Sequence, residues 1–164
     1  MGLTISFWIL AVIIVAAALA VVFLRNVFRA ALTLILCFIG VAGIYITLSA
    51  DFLAAVQILV YVGAISVLII LAIMMTRNFQ KGNQPNKMQI PVAIIAAALL
   101  GFLIYAVTVS PWRISNLAPV ENTTAPLATK LFSENGYILP VEIGAVLLLA
   151  AIIGAIVITR ENKD

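Results

Sequence analysis

The sequence predicts an all-α integral membrane protein with five transmembrane helices, its N-terminus outside and its C-terminus in the cytoplasm. Of the 164 residues, 65% are hydrophobic and only 9% are charged, against roughly 25% charged residues in a soluble domain. The apolar residues form five stretches, each close to or above the about 20 residues that cross the hydrocarbon of a bilayer. Barrel strands would be about half as long and would alternate polar with apolar residues, so the pattern favours helices.

Short connections separate the five predicted spans, apart from one long outer connection over residues 110–137. We expect the whole chain, residues 1–164, to form a single membrane domain. In chain order, the spans are placed at Leu3–Leu24, Ala30–Leu48, Phe52–Met75, Ile90–Val109 and Ile138–Thr159.

The first span has to be distinguished from a secretory signal peptide. No Lys or Arg precedes Arg25, so the positively charged start of a signal is missing. The apolar stretch also exceeds the roughly 7–15 residues of a signal's hydrophobic region. Although Ala17–Ala20 resembles a cleavage site, small residues are common in packed transmembrane helices. We therefore expect the first span to remain in the mature protein.

The basic residues of the connections predict the orientation. One side of the membrane holds seven of them: Arg25, Arg29, Arg77, Lys81, Lys87, Arg160 and Lys163. The opposite side holds only Arg113 and Lys130. Because Lys and Arg concentrate in cytoplasmic loops, the first side is predicted to be cytoplasmic. The net charge of +3 reflects this asymmetry and indicates no nucleic-acid binding.

Two connections have a distinct composition. The outer connection, Ser110–Tyr137, contains three prolines, which disfavour a long helix. Trp112 and Tyr137 stand at its ends, where amphipathic rings favour the membrane interface. The cytoplasmic connection after the third span contains Gly82 and Pro85 and predicts a flexible turn.

The residue types that are missing exclude several kinds of chemistry. The chain has no histidine and a single cysteine, Cys37, in the middle of the second span. Haem held by histidine, histidine metal sites and a histidine general base are therefore excluded. One cysteine builds neither a cluster nor an intramolecular disulfide, so Cys37 is predicted to be a packing residue. Transport, proton handling or a structural place in a larger membrane complex remain.

Two acidic residues lie near the outer ends of predicted spans. Asp51 directly precedes the third span, where it is expected to cap free N–H groups and to complement the helix dipole. Glu142 falls one turn into the fifth span, just after Pro140, which is tolerated near a helix start. Glu142 has two interpretations: an acid beside the outer interface, or a place on a proton route or in a subunit contact.

The third span carries polar groups deeper in the membrane. Gln57 and Tyr61 are four residues apart, so they are predicted to share one helical face. Their amide and hydroxyl would lack partners in lipid and should face protein or water. Gly63 and Ser66 are predicted to form a separate small-residue face for a close helix contact. Tight packing around a hydrogen-bonded Gln–Tyr pair is the alternative to a functional role.

Three stretches resemble one known family. Ala50–Met75, "ADFLAAVQILVYVGAISVLIILAIMM", resembles the third transmembrane helix of subunit J of NADH–quinone oxidoreductase, the chain 6 family of respiratory complex I and its photosynthetic relatives. Leu24–Leu36, "LRNVFRAALTLIL", is similar to the first cytoplasmic turn and second helix of that family. Leu139–Glu161 is similar to its last helix. The most specific match is "VYVGAI", Val60–Ile65.

The resemblance implies a non-catalytic membrane-arm subunit of a proton-translocating enzyme, coupling quinone reduction to proton translocation. It would pack beside the quinone-chamber subunit and the small subunit that carries several buried glutamates. Quinone, flavin and iron–sulfur centres would belong to partner subunits, with no cofactor or metal bound by this chain. A bacterial plasma membrane is the expected location, with a thylakoid or an organelle inner membrane as alternatives. The electron donor, whether NADH, reduced ferredoxin or another, stays open.

The resemblance also assigns roles within the third span. In the family this helix carries a π-bulge around Tyr-x-Gly, and its rotation opens or closes a water path for protons; this implies conformational roles for Tyr61 and Gly63. Some members have glutamate where this chain has Gln57, which implies a hydrogen-bonding role for the amide. We expect a departure from regular α-helix between Val60 and Ile65 in at least one state.

Two other functions compete with this one: a small autonomous membrane transporter and a passive assembly anchor. An exporter should carry a membrane-embedded acid for its cation, and the interiors of the first four spans contain no Asp or Glu. Copurification with a large redox complex in mild detergent would separate the complex I-like function from an autonomous transporter.

Overall fold

The computed structural model describes residues 2–76, 88–112, 123–134 and 136–160. Within these ranges, five helices are long and apolar enough to cross a membrane. They run over Gly2–Phe23, Val27–Thr47, Asp51–Met75, Gln89–Val109 and Ile138–Thr159. The predicted all-α class and the five spans are therefore confirmed, and every end lies within three residues of the predicted one.

The third of these helices changes its geometry along its length, so the described residues contain more elements than spans. The elements are α1 (Gly2–Phe23), α2 (Val27–Thr47), α3 (Asp51–Val56), a π-helical segment (Gln57–Ile65), α4 (Ser66–Met75), α5 (Gln89–Val109), α6 (Thr124–Phe132) and α7 (Ile138–Thr159). The chain divides into two units, Met1–Pro119 and Val120–Asp164. Helices α1 to α5 belong to the first unit, and α6 and α7 belong to the second.

The turn between α1 and α2 is held by Asn26. Its side-chain oxygen accepts hydrogen bonds from the backbone N–H groups of Phe28, at 3.0 Å, and Arg29, at 3.2 Å. An N-terminal cap of this kind satisfies donors that lack a partner inside the helix. The cap starts α2 at Val27, three residues before the predicted Ala30, so the residues directly after Asn26 are already helical.

Helices α1 and α2 pack antiparallel and very closely. A Cβ atom at Gly40 would lie 2.6 Å from Cγ1 of Ile14, and one at Gly43 would lie 3.0 Å from Leu10. Glycine at these two positions therefore lets the helices approach, as van der Waals packing in a membrane requires. The Cys37 sulfur lies 3.9 Å from the Ile14 carbonyl oxygen of α1, which confirms the prediction that this cysteine is a packing residue.

A tight turn connects α2 to the third span. Ser49 has a positive φ of 56°, and its backbone N–H donates to the Ile46 carbonyl at 3.0 Å. The N–H of Ala50 donates to the Tyr45 carbonyl at 2.9 Å. This pair of bonds is a Schellman motif, which ends a helix and satisfies its last carbonyls. It turns the chain back, so the third span runs along α2.

The second unit contains a short helix that the sequence did not predict. Helix α6 has nine residues, and Pro126 is its third. The N–H groups of a first helical turn have no intrahelical acceptor, so proline is tolerated there. The backbone N–H of Tyr137 donates to the Lys130 carbonyl at 2.9 Å and connects the end of α6 to the start of α7.

Several sequence predictions fall on residues outside the described ranges. They include the cytoplasmic turn with Gly82 and Pro85, the charge of Arg113, and the last residues after Arg160. Trp112 is described: its Nε1 donates to the Val107 carbonyl at 2.7 Å. Its predicted interfacial position, like the orientation of the chain, stays a prediction.

Candidate functional site

The π-helical segment occupies the middle of the third span. It covers nine residues, Gln57–Ile65, with regular α-helix on both sides. The predicted departure from α-helix between Val60 and Ile65 is therefore confirmed, and it begins three residues earlier, at Gln57. In a π-helix each carbonyl accepts from the N–H five residues later, and such geometry is frequent at functional sites.

Gln57 connects the start of the π segment to α2. Its side chain is only 7% exposed, and its Nε2 donates to the backbone carbonyl of Phe38 at 3.4 Å. The expectation that this amide faces protein is confirmed. Its partner is a carbonyl of α2 rather than the Tyr61 hydroxyl, so the alternative of a Gln–Tyr hydrogen bond is not what the structure has.

Tyr61 contacts the same residue of α2. Its ring packs edge to face on Phe38, with ring centroids 5.6 Å apart and an interplanar angle of 71°. The predicted common face of Gln57 and Tyr61 is therefore confirmed, since both contact Phe38. Tyr61 remains 43% exposed on this chain, so the contact with Phe38 leaves part of the residue uncovered.

Gly63 and Ser66 do not form the small-residue face that their spacing predicts. Gly63 is exposed, and a Cβ there would meet only the Ile58 carbonyl of its own helix, at 3.3 Å. Ser66 is instead buried, with 2% exposure. The prediction assumed α-helical geometry, where residues three apart are neighbours. A π turn contains more residues, so the same spacing separates the two side chains.

Ser66 has a specific partner that the sequence did not reveal. Its hydroxyl donates to the Tyr61 carbonyl at 2.6 Å, and its backbone N–H donates both to that carbonyl and to the Gly63 carbonyl. A serine within an α-helix normally bonds to a carbonyl three or four residues earlier. The bond five residues back exists because the backbone is π-helical, which no spacing rule for regular helices would predict.

The two acids hold simpler positions. Asp51 is the first residue of α3 and is exposed; no side-chain hydrogen bond caps this helix, so the capping part of the prediction is wrong. Ala50 occupies the cap position, and Asp51 already lies inside the first turn, where its charge complements the helix dipole. In the second unit, Glu142 is exposed one turn into α7, and Pro140 is the third residue of that helix, as predicted.

The polar groups that the π segment offers are hydrogen-bonding groups. They are an amide, a phenol and backbone carbonyls, and the segment contains no Asp or Glu. Across the described ranges, no group of three His, Cys, Asp or Glu side chains is placed to hold a metal ion. The arrangement therefore supports a change of helical register or the placing of a water molecule.

Comparison with known proteins gives one consistent family. A family model described as NADH-ubiquinone/plastoquinone oxidoreductase chain 6 matches residues 17–158, which include the π segment and both of its flanking helices. The match therefore covers most of the chain and does not depend on the third span alone.

Individual relatives agree with the family model. The chain is 42% identical over 162 residues to the "NAD(P)H-quinone oxidoreductase chain 6" of Synechocystis, covering 96% of this chain and 81% of the relative. It is 36% identical over 167 residues to the "F(420)H(2) dehydrogenase subunit J" of Methanosarcina mazei, covering 98% and 93%. A chloroplast subunit 6 of Nephroselmis olivacea is 39% identical over 152 residues, covering 91% and 88%.

Proposed function

The chain belongs to the NADH-ubiquinone/plastoquinone oxidoreductase chain 6 family, and from that premise we propose that it couples quinone reduction to proton translocation in a complex I-like enzyme. The observation that carries the proposal is the nine-residue π segment within a membrane-spanning helix. A π segment can return to α-helix by exchanging hydrogen bonds, without breaking the span. The third span is thus proposed to act as a switch.

The physical change in such a switch is a shift of one residue in hydrogen-bond register. In the π form, the Tyr61 carbonyl accepts from Ser66; in the α form it would accept from Ile65, four residues later. Shifting the register by one residue rotates the helix on one side of the segment relative to the helix on the other side by about 100° around the helix axis. Tyr61 would then present its hydroxyl in a different direction and could place or release a water molecule.

Gln57 and Gly63 would support the two forms in different ways. Gln57 bonds to the Phe38 carbonyl of α2, so the start of the segment would stay in place while the residues after it rotate. Gly63 has no side chain, and the nearest atom to a Cβ there would be the Ile58 carbonyl oxygen at 3.3 Å. A β-branched residue would crowd that oxygen and would lose χ1 freedom against the preceding turn. Both effects hinder exchange between registers.

We propose further that this chain is a non-catalytic subunit. It has no histidine and one cysteine, so quinone, flavin and iron–sulfur centres are assigned to partner subunits. The quinone-chamber subunit and the small glutamate-bearing subunit are the proposed neighbours, and Glu142, exposed on α7, is a candidate for a proton route or a subunit contact. The donors named for the relatives differ, so the donor is proposed to be set by other subunits.

The decisive experiment measures protons translocated per electron in vesicles that contain the assembled enzyme with Gly63→Val. We expect a lower ratio and slower quinone-linked turnover, with assembly largely retained. The matched control is Gly101→Val, because Gly101 lies in regular α5 and a Cβ there meets nothing within 4 Å of this chain. Wild-type coupling in Gly63→Val would overturn the switch. Failure of the tagged chain to copurify with a redox complex would favour an autonomous transporter.

The proposed orientation has its own test. The distribution of basic residues supports a cytoplasmic position for the connection after the third span, and a bacterial plasma membrane, or its thylakoid or organelle equivalent, is the proposed location. With Cys37→Ser as background, Asn83→Cys should react with a membrane-impermeant thiol reagent only from the cytoplasmic side. Labelling only from outside would reverse the topology.

A further inference from the structure

Two buried polar side chains mark the limits of the π segment. In the described part of the chain, the buried polar residues are Gln57, at 7% exposure, and Ser66, at 2%. Gln57 is the first residue of the π segment, and Ser66 directly follows its last residue, Ile65. Each side chain bonds to a backbone carbonyl, of Phe38 and Tyr61 respectively. Polar burial in this helix therefore coincides with the change of geometry.

We infer that Ser66 is a positioning residue that holds the third span in its π register. The Tyr61 carbonyl receives two hydrogen bonds from this one residue: the backbone N–H of Ser66 and its hydroxyl at 2.6 Å. A carbonyl oxygen has two lone pairs and can accept both. Because the hydroxyl reaches five residues back, its bond exists only while the backbone is π-helical.

The same hydroxyl has a different partner in the α register. There the Tyr61 carbonyl would accept from Ile65, and serine hydroxyls in α-helices bond to carbonyls three or four residues earlier. Ser66 would then donate to Gly63 or Val62. The hydroxyl is thus never left without a partner inside the membrane, where an unsatisfied group is costly. Register exchange becomes a transfer of the hydroxyl from one carbonyl to the next.

Removing this hydroxyl should change the register without unfolding the helix. In Ser66→Ala the Tyr61 carbonyl keeps the backbone N–H as a donor, so no buried group loses its last partner. The substitution removes a 2.6 Å bond from the π form, but from the α form it removes only a back-bond of the kind that slightly destabilises a helix. The ratio of the two forms therefore shifts toward α, by up to about fivefold for one net hydrogen bond. Ser66→Cys keeps the volume with a weak donor and should give a smaller shift in the same direction.

The experiment determines the structure of the intact complex carrying Ser66→Ala, Ser66→Cys or no change, under identical turnover conditions. The quantity measured is the fraction of particles in which Tyr61 bonds to the residue five positions later rather than four. We expect that fraction to be highest in the wild type, lower in Ser66→Cys and lowest in Ser66→Ala. Thr33→Val is the matched control, because the Thr33 hydroxyl bonds to the Ala30 carbonyl at 2.8 Å in the regular helix α2.

This inference rests on the proposed function, and the measurements separate the two. An unchanged π fraction in both Ser66 variants overturns the role of Ser66 and leaves the coupling role of the chain intact. A reduced π fraction confirms the role of Ser66. If proton translocation per electron is then still at the wild-type value, the register is not the coupling switch, and the proposed function fails instead. A shift of equal size in Thr33→Val would also overturn the inference, because any lost hydroxyl would then suffice.

Discussion

Among the described residues, helix α2 packs mainly against α1 and the third span, and these two contacts are built differently. Against α1, the contact is made by small residues: Gly40 and Gly43 receive the side chains of Ile14 and Leu10. Against the third span, the contact contains a buried amide and an aromatic pair, both at Phe38. The first contact joins two regular α-helices, whereas the second joins α2 to a π-helical segment.

The two contacts of α2 differ in whether they can rearrange. Close packing of small residues has no second arrangement, because a shift would bring side chains into the opposite backbone. Hydrogen bonds to backbone carbonyls can be exchanged between neighbouring carbonyls at little cost in energy, since each polar group finds a new partner. We therefore expect α1 and α2 to stay fixed relative to each other, and the third span to move against α2.

The largest expected effect comes from disrupting the fixed contact. In Gly40→Val, the new Cβ would start 2.6 Å from Ile14 Cγ1, so either the Ile14 side chain must leave its rotamer or the two helices must separate. Overpacking of this kind costs about 1–3 kcal/mol, and we expect a severe loss of assembled complex. The amount of this chain that copurifies with its partners measures the effect. Gly154→Val is the control, because a Cβ there meets nothing within 4 Å; equal losses in both variants would contradict the comparison.

A smaller effect, on coupling rather than assembly, is expected at the adjustable contact. Gln57→Leu keeps a buried side chain of similar size and removes the donor to the Phe38 carbonyl, a net loss of about 1 kcal/mol. We expect near-normal assembly with fewer protons translocated per electron. Gln89→Leu, at the exposed start of α5, should leave the ratio unchanged. A severe assembly defect in Gln57→Leu would instead show that the contact at Gln57 is fixed, like the contact between α1 and α2.

The sequence predicted the helices and the place of the irregularity better than it predicted the side-chain contacts. The five spans and the site of the irregularity were predictable, because apolar length and the "VYVGAI" match are local signals. The partners of Gln57 and Ser66 were not, because they depend on how the third span lies against α2 and on the π geometry itself. The three-residue spacing of Gly63 and Ser66 misled for the same reason: it assumes 3.6 residues per turn. Helix α6 was missed because proline in a first turn reads as a breaker.

Tyr61→Phe should have a weaker effect than Gln57→Leu. The substitution keeps the ring and its edge-to-face contact with Phe38, at 5.6 Å, and removes only the hydroxyl. We expect unchanged assembly and a reduction in quinone-linked turnover less than half as large as that of Gln57→Leu. Tyr61→Leu removes the aromatic pair as well, worth about 0.5–1.5 kcal/mol, and should reduce turnover further. Equal turnover in the two Tyr61 variants would mean that the ring contributes nothing to the contact.

The smallest effect is expected outside the first unit, at Lys130. Its side chain is exposed in the last turn of α6, and exposed charges contribute little to stability. The contact that connects α6 to α7 uses the Lys130 backbone carbonyl, which accepts from the Tyr137 N–H at 2.9 Å, and Lys130→Ala leaves that carbonyl in place. Proton translocation per electron should therefore stay at the wild-type value; Glu121→Ala, outside the described residues, should behave alike. A severe loss of coupling with normal assembly would show that the adjustable region extends beyond the third span and into the outer connection.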